Sequence, residues 1–392
     1  MQGRKQKLLG EISQIYSGFA FRSQDLGDKG IPVVKIANIQ NKRVSPECAD
    51  RLPEELCTAK LNRYFLQPED TLIAMTGAGS VGRVGKMPSI EGRFLVNQRV
   101  AIVRPDSSQC DAAFVYYALS QDIYETKLYG LGLGAGQPNV SAKQIGELEI
   151  PFPSLPIQQR IAGILSAYDE LIENSQRRIR VLESMARALY REWFVHFRFP
   201  GHENAPFIAS PLGEIPQGWR VMQVKELLAR RPAGKMYKDS DVHPEGTTPV
   251  FDQSTNELLG FHDNEPDHQA SPKSPLAIFG DHTCKMQLLI EPFSVGPNVV
   301  PFSAKTGTPT AYAFYAVNSL VKTQEYKRHW TPLSAKELVV ADLATTQRFA
   351  SLIQPLLVTQ EIHRKTIRNL RRTRDLLLPR LLSGQINVDP SV

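Results

Sequence analysis

The stretch Thr71–Lys86, T-L-I-A-M-T-G-A-G-S-V-G-R-V-G-K, places Gly77, Gly79 and Gly82 in the spacing G-x-G-x-x-G. After a strand, such glycines let the backbone close on a pyrophosphate or a nucleotide-like methyl donor. That chemistry also needs a helix immediately afterwards and an acid about 20 residues on to hold the ribose. Neither is present. Arg83–Ser89, R-V-G-K-M-P-S, suits a second short strand, and the later stretch V-N-Q-R-V-A-I-V-R-P is a strand without an acid. Gly85-Lys86 also lacks the following Ser or Thr of a phosphate-binding P-loop. A loop of small residues has another use, because glycines let a ligand surface approach while Thr76, Ser80 and Arg83 offer donors to phosphates and base edges. An ordinary hairpin turn would carry the same residues.

Other reactive types are scattered. Phe279–Met286, F-G-D-H-T-C-K-M, holds Asp281, His282 and Lys285, the nearest approach to the clustered carboxylates and lysine of a metal-dependent nuclease; it reads better as a binding loop. No Asn/Asp-Pro-Pro-aromatic motif of an amino-methyltransferase occurs, since Asp389-Pro390-Ser391 only ends the chain. The 8 histidines show no H-E-x-x-H spacing. Cys48, Cys57, Cys110 and Cys284 form neither a C-x-x-C pair nor a disulfide framework and read as buried thiols. The expectation is therefore no catalytic residue, no metal and no cofactor held by this chain. Gly130–Ser141, G-L-G-L-G-A-G-Q-P-N-V-S, and Tyr326–Ser334, Y-K-R-H-W-T-P-L-S, look like exposed loops from which Gln137, Asn139 and Trp330 can reach a nucleic acid.

The elements that position these loops follow from the whole chain. At 392 residues it is too long for one ordinary core, and roughly 100–200 residues per domain predicts two or three. No run approaches the roughly 20 apolar residues of a membrane span, and the first residues lack the apolar core of an export signal. A cytoplasmic location without membrane contact is expected. The net charge of +6 fits a polyanionic partner.

A long internal repeat organises the sequence. Val140–Leu165 answers Leu333–Ile353: Ser141-Ala142-Lys143 matches Ser334-Ala335-Lys336, and Gln159-Arg160 matches Gln347-Arg348, with a few residues deleted between the two landmarks. After each Gln-Arg, apolar residues recur at alternating spacings of four and three, the signature of a coiled coil. The first seam runs through Ile161, Leu165, Tyr168, Ile172, Ser175, Ile179, Leu182, Ala186, Leu189 and Trp193. The second runs through Phe349, Ile353, Leu356, Gln360, His363, Ile367, Leu370, Arg374, Leu377 and Leu381. Helices of about 35–40 residues would be rods of roughly 55–60 Å. Pro355 predicts that the second helix starts or kinks there. Outside the helices, short strands at Ile31–Ile39, Asp70–Thr76, Phe94–Pro105, Thr248–Asp252, Pro275–Asp281 and Val295–Phe302, with helices at Phe114–Ser120 and Ala311–Leu320, predict two mixed domains. The fold class is α+β: two mixed α/β domains alternating with two long helices that pair as a coiled coil, related by an internal pseudo-two-fold repeat.

Four ordered markers resemble the specificity subunit of type I restriction-modification systems. They are G-Q-P-N-V-S-A-K-Q-I-G-E-L-E-I-P-F-P-S-L-P-I-Q-Q-R-I (Gly136–Ile161), L-Y-R-E-W-F-V-H-F-R-F-P (Leu189–Pro200), P-L-G-E-I-P-Q-G-W (Pro211–Trp219) and D-L-L-L-P-R-L-L-S-G-Q-I (Asp375–Ile386). The resemblance implies target recognition domains at 1–153 and 197–340, conserved spacer helices at 154–196 and 341–392, and antiparallel pairing of those helices. It further implies that each recognition domain reads one half of a bipartite, asymmetric site in double-stranded DNA. Two modification subunits, which carry S-adenosylmethionine, would dock on the helices, and two restriction-translocase subunits can join them. A scaffold or decoy that binds methyltransferase subunits without reading sequence is the alternative. Base contacts are not carried by the resemblance. From side-chain chemistry, Lys35, Asn38, Thr76, Ser80, Arg83, Gln98 and Asn139 are the expected DNA contacts of the first domain. Gln253, His282, Lys285, Asn298 and Trp330 are those of the second, Arg or Lys suiting guanine and Asn or Gln adenine. Each would equally serve as a solvated or phosphate-contacting side chain. The expected helix-pairing seam is Ile161, Leu165, Ile172, Ile179, Leu182, Leu189, Ile353, Ile367, Leu370 and Leu377.

Overall fold

The computed structural model describes residues 5–388, apart from 88–91, 135, 255–257, 306, 319 and 324–326. The chain's first four and last four residues, the latter closing the expected second-helix segment, therefore lie outside the described residues, as do Ser319 and Tyr326. The chain divides into two units, Met1–Ile172 with Arg368–Val392, and Glu173–Ile367.

In the first unit, β1 (Gln6–Leu8) leads through the short α1 (Leu9–Ile12) into β2 (Ser13–Ser17). A six-stranded sheet places β2 beside β5 (Val100–Pro105), then β3 (Thr71–Ala74), β4 (Val84–Lys86) and two short edge strands at Arg43–Val44 and Ile39–Gln40. The apolar runs T-L-I-A and V-A-I-V are buried along their length, as central strands covered on both faces must be. α2 (Ala112–Leu119) starts where the Asp111 carboxylate accepts the Phe114 N–H at 2.8 Å, and α3 (Asp122–Gly132) follows. The chain then forms α4 (Ala142–Gly146) and β6 (Glu149–Pro151), which pairs antiparallel with β1. The long α5 spans Leu155–Tyr190, and its following turn, Arg191–Val195, is π-helical.

The second unit repeats the plan. β7 (Arg220–Gln223) and α6 (Val224–Leu227) lead to β8 (Leu228–Arg230). A four-stranded sheet runs β8, β11 (Val299–Ala304), β9 (Leu276–Gly280) and β10 (Met286–Leu289), matching β2, β5, β3 and β4 of the first unit. α7 (Thr310–Val317), α8 (Trp330–Ser334), β12 (Glu337–Val340) and the long α9 (Leu343–Ser383) complete it, with β12 antiparallel to β7.

The register of the repeat differs from the sequence reading. The Leu9 N–H donates to the Leu148 carbonyl, and the Val224 N–H to the Lys336 carbonyl, each at 2.8 Å. Leu148 and Lys336 are thus equivalent. They are 188 residues apart, as are Gln159 and Gln347 and every paired position of the two heptad seams. No deletion separates the landmarks. Ser141 is the N-cap of α4, whereas Ser334 is the last residue of α8, so the matching Ser-Ala-Lys triplets occupy different places.

The second helix does not begin near Pro355. It starts at Leu343 and runs through the proline, which is exposed. A mid-helix proline costs about 3 kcal/mol, and full burial of Phe349 and Ile353 just upstream offsets this at about 1.5–3 kcal/mol each.

Within each unit the long helices pack against each other. In the first, Ile161 and Leu165 share a core with Leu378, Leu381 and Leu382, and Asp169 meets Arg374. In the second, Glu183 meets Arg364 at 3.5 Å, Ala186 shares a core with Ile353 and Leu357, and the Trp193 ring lies 6.2 Å from that of Phe349. Rising positions on α5 meet falling positions on α9, which is antiparallel pairing. Of the expected seam, Ile161, Leu165, Ile172, Ile353 and Ile367 are buried, while Ile179, Leu182, Leu189, Leu370 and Leu377 are half-buried. Ser175 and Gln360 are buried polar members, and polar seam residues of this kind fix register at a cost in stability.

Candidate nucleic-acid interface

In the first unit the two glycine-rich stretches, some 50 residues apart in sequence, meet at the end of β3. Thr76 bridges antiparallel to Asn139, and the Gly77 N–H donates to the Pro138 carbonyl at 3.0 Å. Met75 ties three segments together. Its N–H donates to the Arg99 carbonyl and its carbonyl accepts the Val140 N–H, both at 2.9 Å. The structure therefore gathers Thr76, Ser80 and Asn139 beside the turn that carries Gln98. Gln98 and Asn139 are exposed, Thr76 and Ser80 half-buried. The Ser80 hydroxyl donates to the carbonyls of Thr76 at 3.0 Å and Gly77 at 3.3 Å, so it shapes the loop.

The remaining first-unit residues are more committed. Lys35 is half-buried and ion-paired with Asp50 at 2.7 Å. Asn38 accepts the Lys35 N–H at 2.9 Å and donates to the Glu47 carbonyl at 3.1 Å, closing its own loop. Arg83 is half-buried where the chain enters β4, its backbone bonded to Ser80 and Ala74. Sequence reasoning passed over Arg99, exposed beside Gln98. Its position immediately before the apolar run V-A-I-V was the available signal.

The second unit builds the same knot at the end of β9. The Asp281 N–H donates to the Asn298 carbonyl and the Asp281 carbonyl accepts the His329 N–H, both at 2.8 Å. Here the knot has a side chain as well. The buried Asp281 carboxylate accepts the N–H groups of His329 at 3.0 Å and Trp330 at 2.8 Å through Oδ1, capping α8 from 48 residues away. Gln253 Oε1 accepts the His282 N–H at 3.0 Å, and its carbonyl accepts the Thr283 hydroxyl at 2.7 Å. Lys285 Nζ lies 3.5 Å from the Asp252 carbonyl, and Asn298 is exposed with a left-handed backbone at φ 59°. The Trp330 ring packs 5.7 Å from Phe279 and 5.6 Å from Phe302, so much of it belongs to the aromatic core. Gln253, His282, Lys285 and Asn298 are brought together; Trp330 lies beneath them.

Burial affects the titrating thiols of the first unit. Burial pushes the Cys48 and Cys110 thiols up to about 11, which makes them poor nucleophiles. No group of three or more His, Cys, Asp or Glu suited to a metal ion occurs among the described residues. No helix among them is long and apolar enough to cross a membrane. Two loop platforms on one frame, with different polar side chains, can present hydrogen-bonding groups to base edges and phosphates.

Comparison with known proteins fits this arrangement. A family model described as the type I restriction modification DNA specificity domain matches residues 1–184. The chain is similar to the type I restriction enzyme MjaIX specificity subunit of Methanocaldococcus jannaschii, 25% identical over 300 residues that cover 70% of this chain and 69% of the relative. It is also similar to the putative MjaX specificity subunit of that organism, 22% identical with 97% of this chain and 93% of the relative covered. Among solved structures, the S subunit of a type I restriction-modification system from M. genitalium shares the fold over 96% of both chains, with a TM-score of 0.58 at 17% identity.

Proposed function

We propose that the chain is a specificity subunit of a type I restriction-modification system, like the family model and the relatives it matches, and that its two units divide the reading of one bipartite DNA site. As such a subunit it binds DNA sequence-specifically and associates with methyltransferase subunits; it is not itself catalytic, and S-adenosylmethionine belongs to those partners. The observation that carries the division of labour is the shared knot at Met75 and Asp281. The same strand order holds Thr76, Gln98 and Asn139 in one unit and Gln253, His282, Lys285 and Asn298 in the other. A common frame with different donors and acceptors suits two different half-sites.

In this reading residues 1–153 and 197–340 are the reading domains. The helical segments 154–196 and 341–392 set the unread spacer and dock two modification subunits, to which two restriction-translocase subunits add. The test is single-molecule sequencing of DNA methylated by the chain with its modification subunit. A split, asymmetric motif is expected, and exchange of residues 1–153 for those of a relative should alter one half of it. Alteration of both halves would sink the division. Sequence-independent binding without a motif would leave a scaffold or decoy.

A further inference from the structure

Asp281 does more than cap a helix. Its Oδ1 takes both backbone N–H groups, of His329 and Trp330. Its other oxygen, Oδ2, lies 3.9 Å from the Nε of Arg328. The two side chains differ sharply in exposure, 13% for Asp281 and 78% for Arg328. A carboxylate fixed by two backbone donors thus flanks the root of a guanidinium that reaches into solvent, on the platform that also carries Asn298 and Lys285.

The geometry leaves the forked end of Arg328 available. At 3.9 Å the Nε–Oδ2 contact is an ion pair rather than a hydrogen bond; it restrains the stem of a side chain that stays 78% exposed and leaves the two Nη groups for a further partner. Two parallel N–H donors match the O6 and N7 acceptors of guanine in the major groove, the commonest specific pairing of arginine with a base. A free arginine would lose rotamer freedom on making that pair, and a flanking carboxylate reduces the loss. Among the described residues of the first unit no such device occurs. Met75, equivalent to Asp281, is an apolar core residue, and the helix equivalent to α8 is capped locally by Ser141.

We propose that Arg328 reads a guanine in the half-site bound by the second unit, with Asp281 as its positioning residue. The proposal rests on the specificity-subunit reading and names the base class that one platform recognises. The experiment uses the full chain assembled with its modification subunits, compares wild type with R328A and D281N, and measures both the methylated motif and binding to a randomised site library. Wild type should show guanine at one position of the second half-site. R328A should lose that preference by roughly 5- to 150-fold and leave the first half-site unchanged. D281N keeps a carbonyl oxygen for the two backbone donors but turns an amide toward Arg328, and should weaken the same preference to a smaller degree. R328K should recover affinity without recovering full discrimination.

A uniform loss of affinity across all sequences in R328A, with the salt slope reduced by about one, would make Arg328 a phosphate contact and overturn the proposal. An unaltered motif would overturn it as well. If the wild-type complex gives no bipartite motif, the underlying reading fails first, so the two failures are distinguishable.

Discussion

Arg374 on α9 donates to Asp169 on α5 at 2.5 Å, and the Tyr117 hydroxyl donates to the other oxygen of the same carboxylate at 2.6 Å. An arginine at a heptad seam position would cost stability if unpaired. Here a core helix, α2, and both long helices converge on one carboxylate, and both charged side chains are about four-fifths buried. R374A should therefore destabilise the first unit by about 1–3 kcal/mol, because it leaves Asp169 without its cation. The double variant D169A/R374A should cost less than the two single changes summed. Urea unfolding of the four proteins checks this, and strict additivity would show that the pair is solvent-screened.

The heptad seams were legible because apolar period alone specifies them. Ile161 and Leu165, with Phe349 and Ile353 placed 188 residues later, need no knowledge of the rest of the fold, whereas polar Gln360 follows only from the spacing of its neighbours. The short strands were legible for a similar reason, although Phe94–Pro105 breaks into Leu95–Val96 and Val100–Pro105 around the turn holding Gln98. The Ser-Ala-Lys match misled because three common residues carry little register information, while backbone pairing of β1 with β6 and β7 with β12 carries much more. The site was legible only as residue types. Nothing local in sequence shows that Asn38 and Ser80 close their own loops, that Trp330 packs under the platform, or that Asp281 caps a helix 48 residues downstream.

Two glycines of the first loop should behave differently. Gly82 has φ +86°, and an added Cβ would sit 2.8 Å from the Glu125 carbonyl oxygen and 3.1 Å from the Leu128 Cβ. Those belong to the backbone and the buried face of α3, which cannot yield cheaply, so G82A should cost roughly 2–4 kcal/mol. Gly79 has φ +73° but open space around it. G79A should cost only about 1 kcal/mol, the strain of a left-handed backbone. On the proposed DNA-facing role of this loop, its loss of affinity for the cognate site should exceed that stability cost, because an added Cβ would stand where the DNA approaches. Thermal unfolding and titration with a cognate duplex measure the two effects, and an unchanged Kd for G79A would reduce Gly79 to a turn residue.

Asp342 gives the fold a pH dependence of defined sign. It stands immediately before α9, accepting the Thr345 N–H at 2.9 Å, the Thr345 hydroxyl at 2.7 Å and the Trp219 indole N–H at 3.2 Å. Burial pushes its carboxyl up, but these donors outweigh burial and hold it below the usual aspartate value. A carboxylate with a depressed folded pKa contributes stability above its unfolded pKa and loses it as pH falls through the folded one. D342N retains a cap for α9 but turns an amide N–H toward one of the Oδ2 donors, of which the Trp219 N–H cannot rotate away. The variant should be less stable than wild type by about 1–2 kcal/mol at neutral pH. That gap should narrow below about pH 4, as the wild-type carboxyl takes up its proton and loses the advantage of charge. Denaturant unfolding of both proteins from neutral to acidic pH tests this. A gap that stays constant across the range would show that charge on Asp342 adds nothing to its role as a cap.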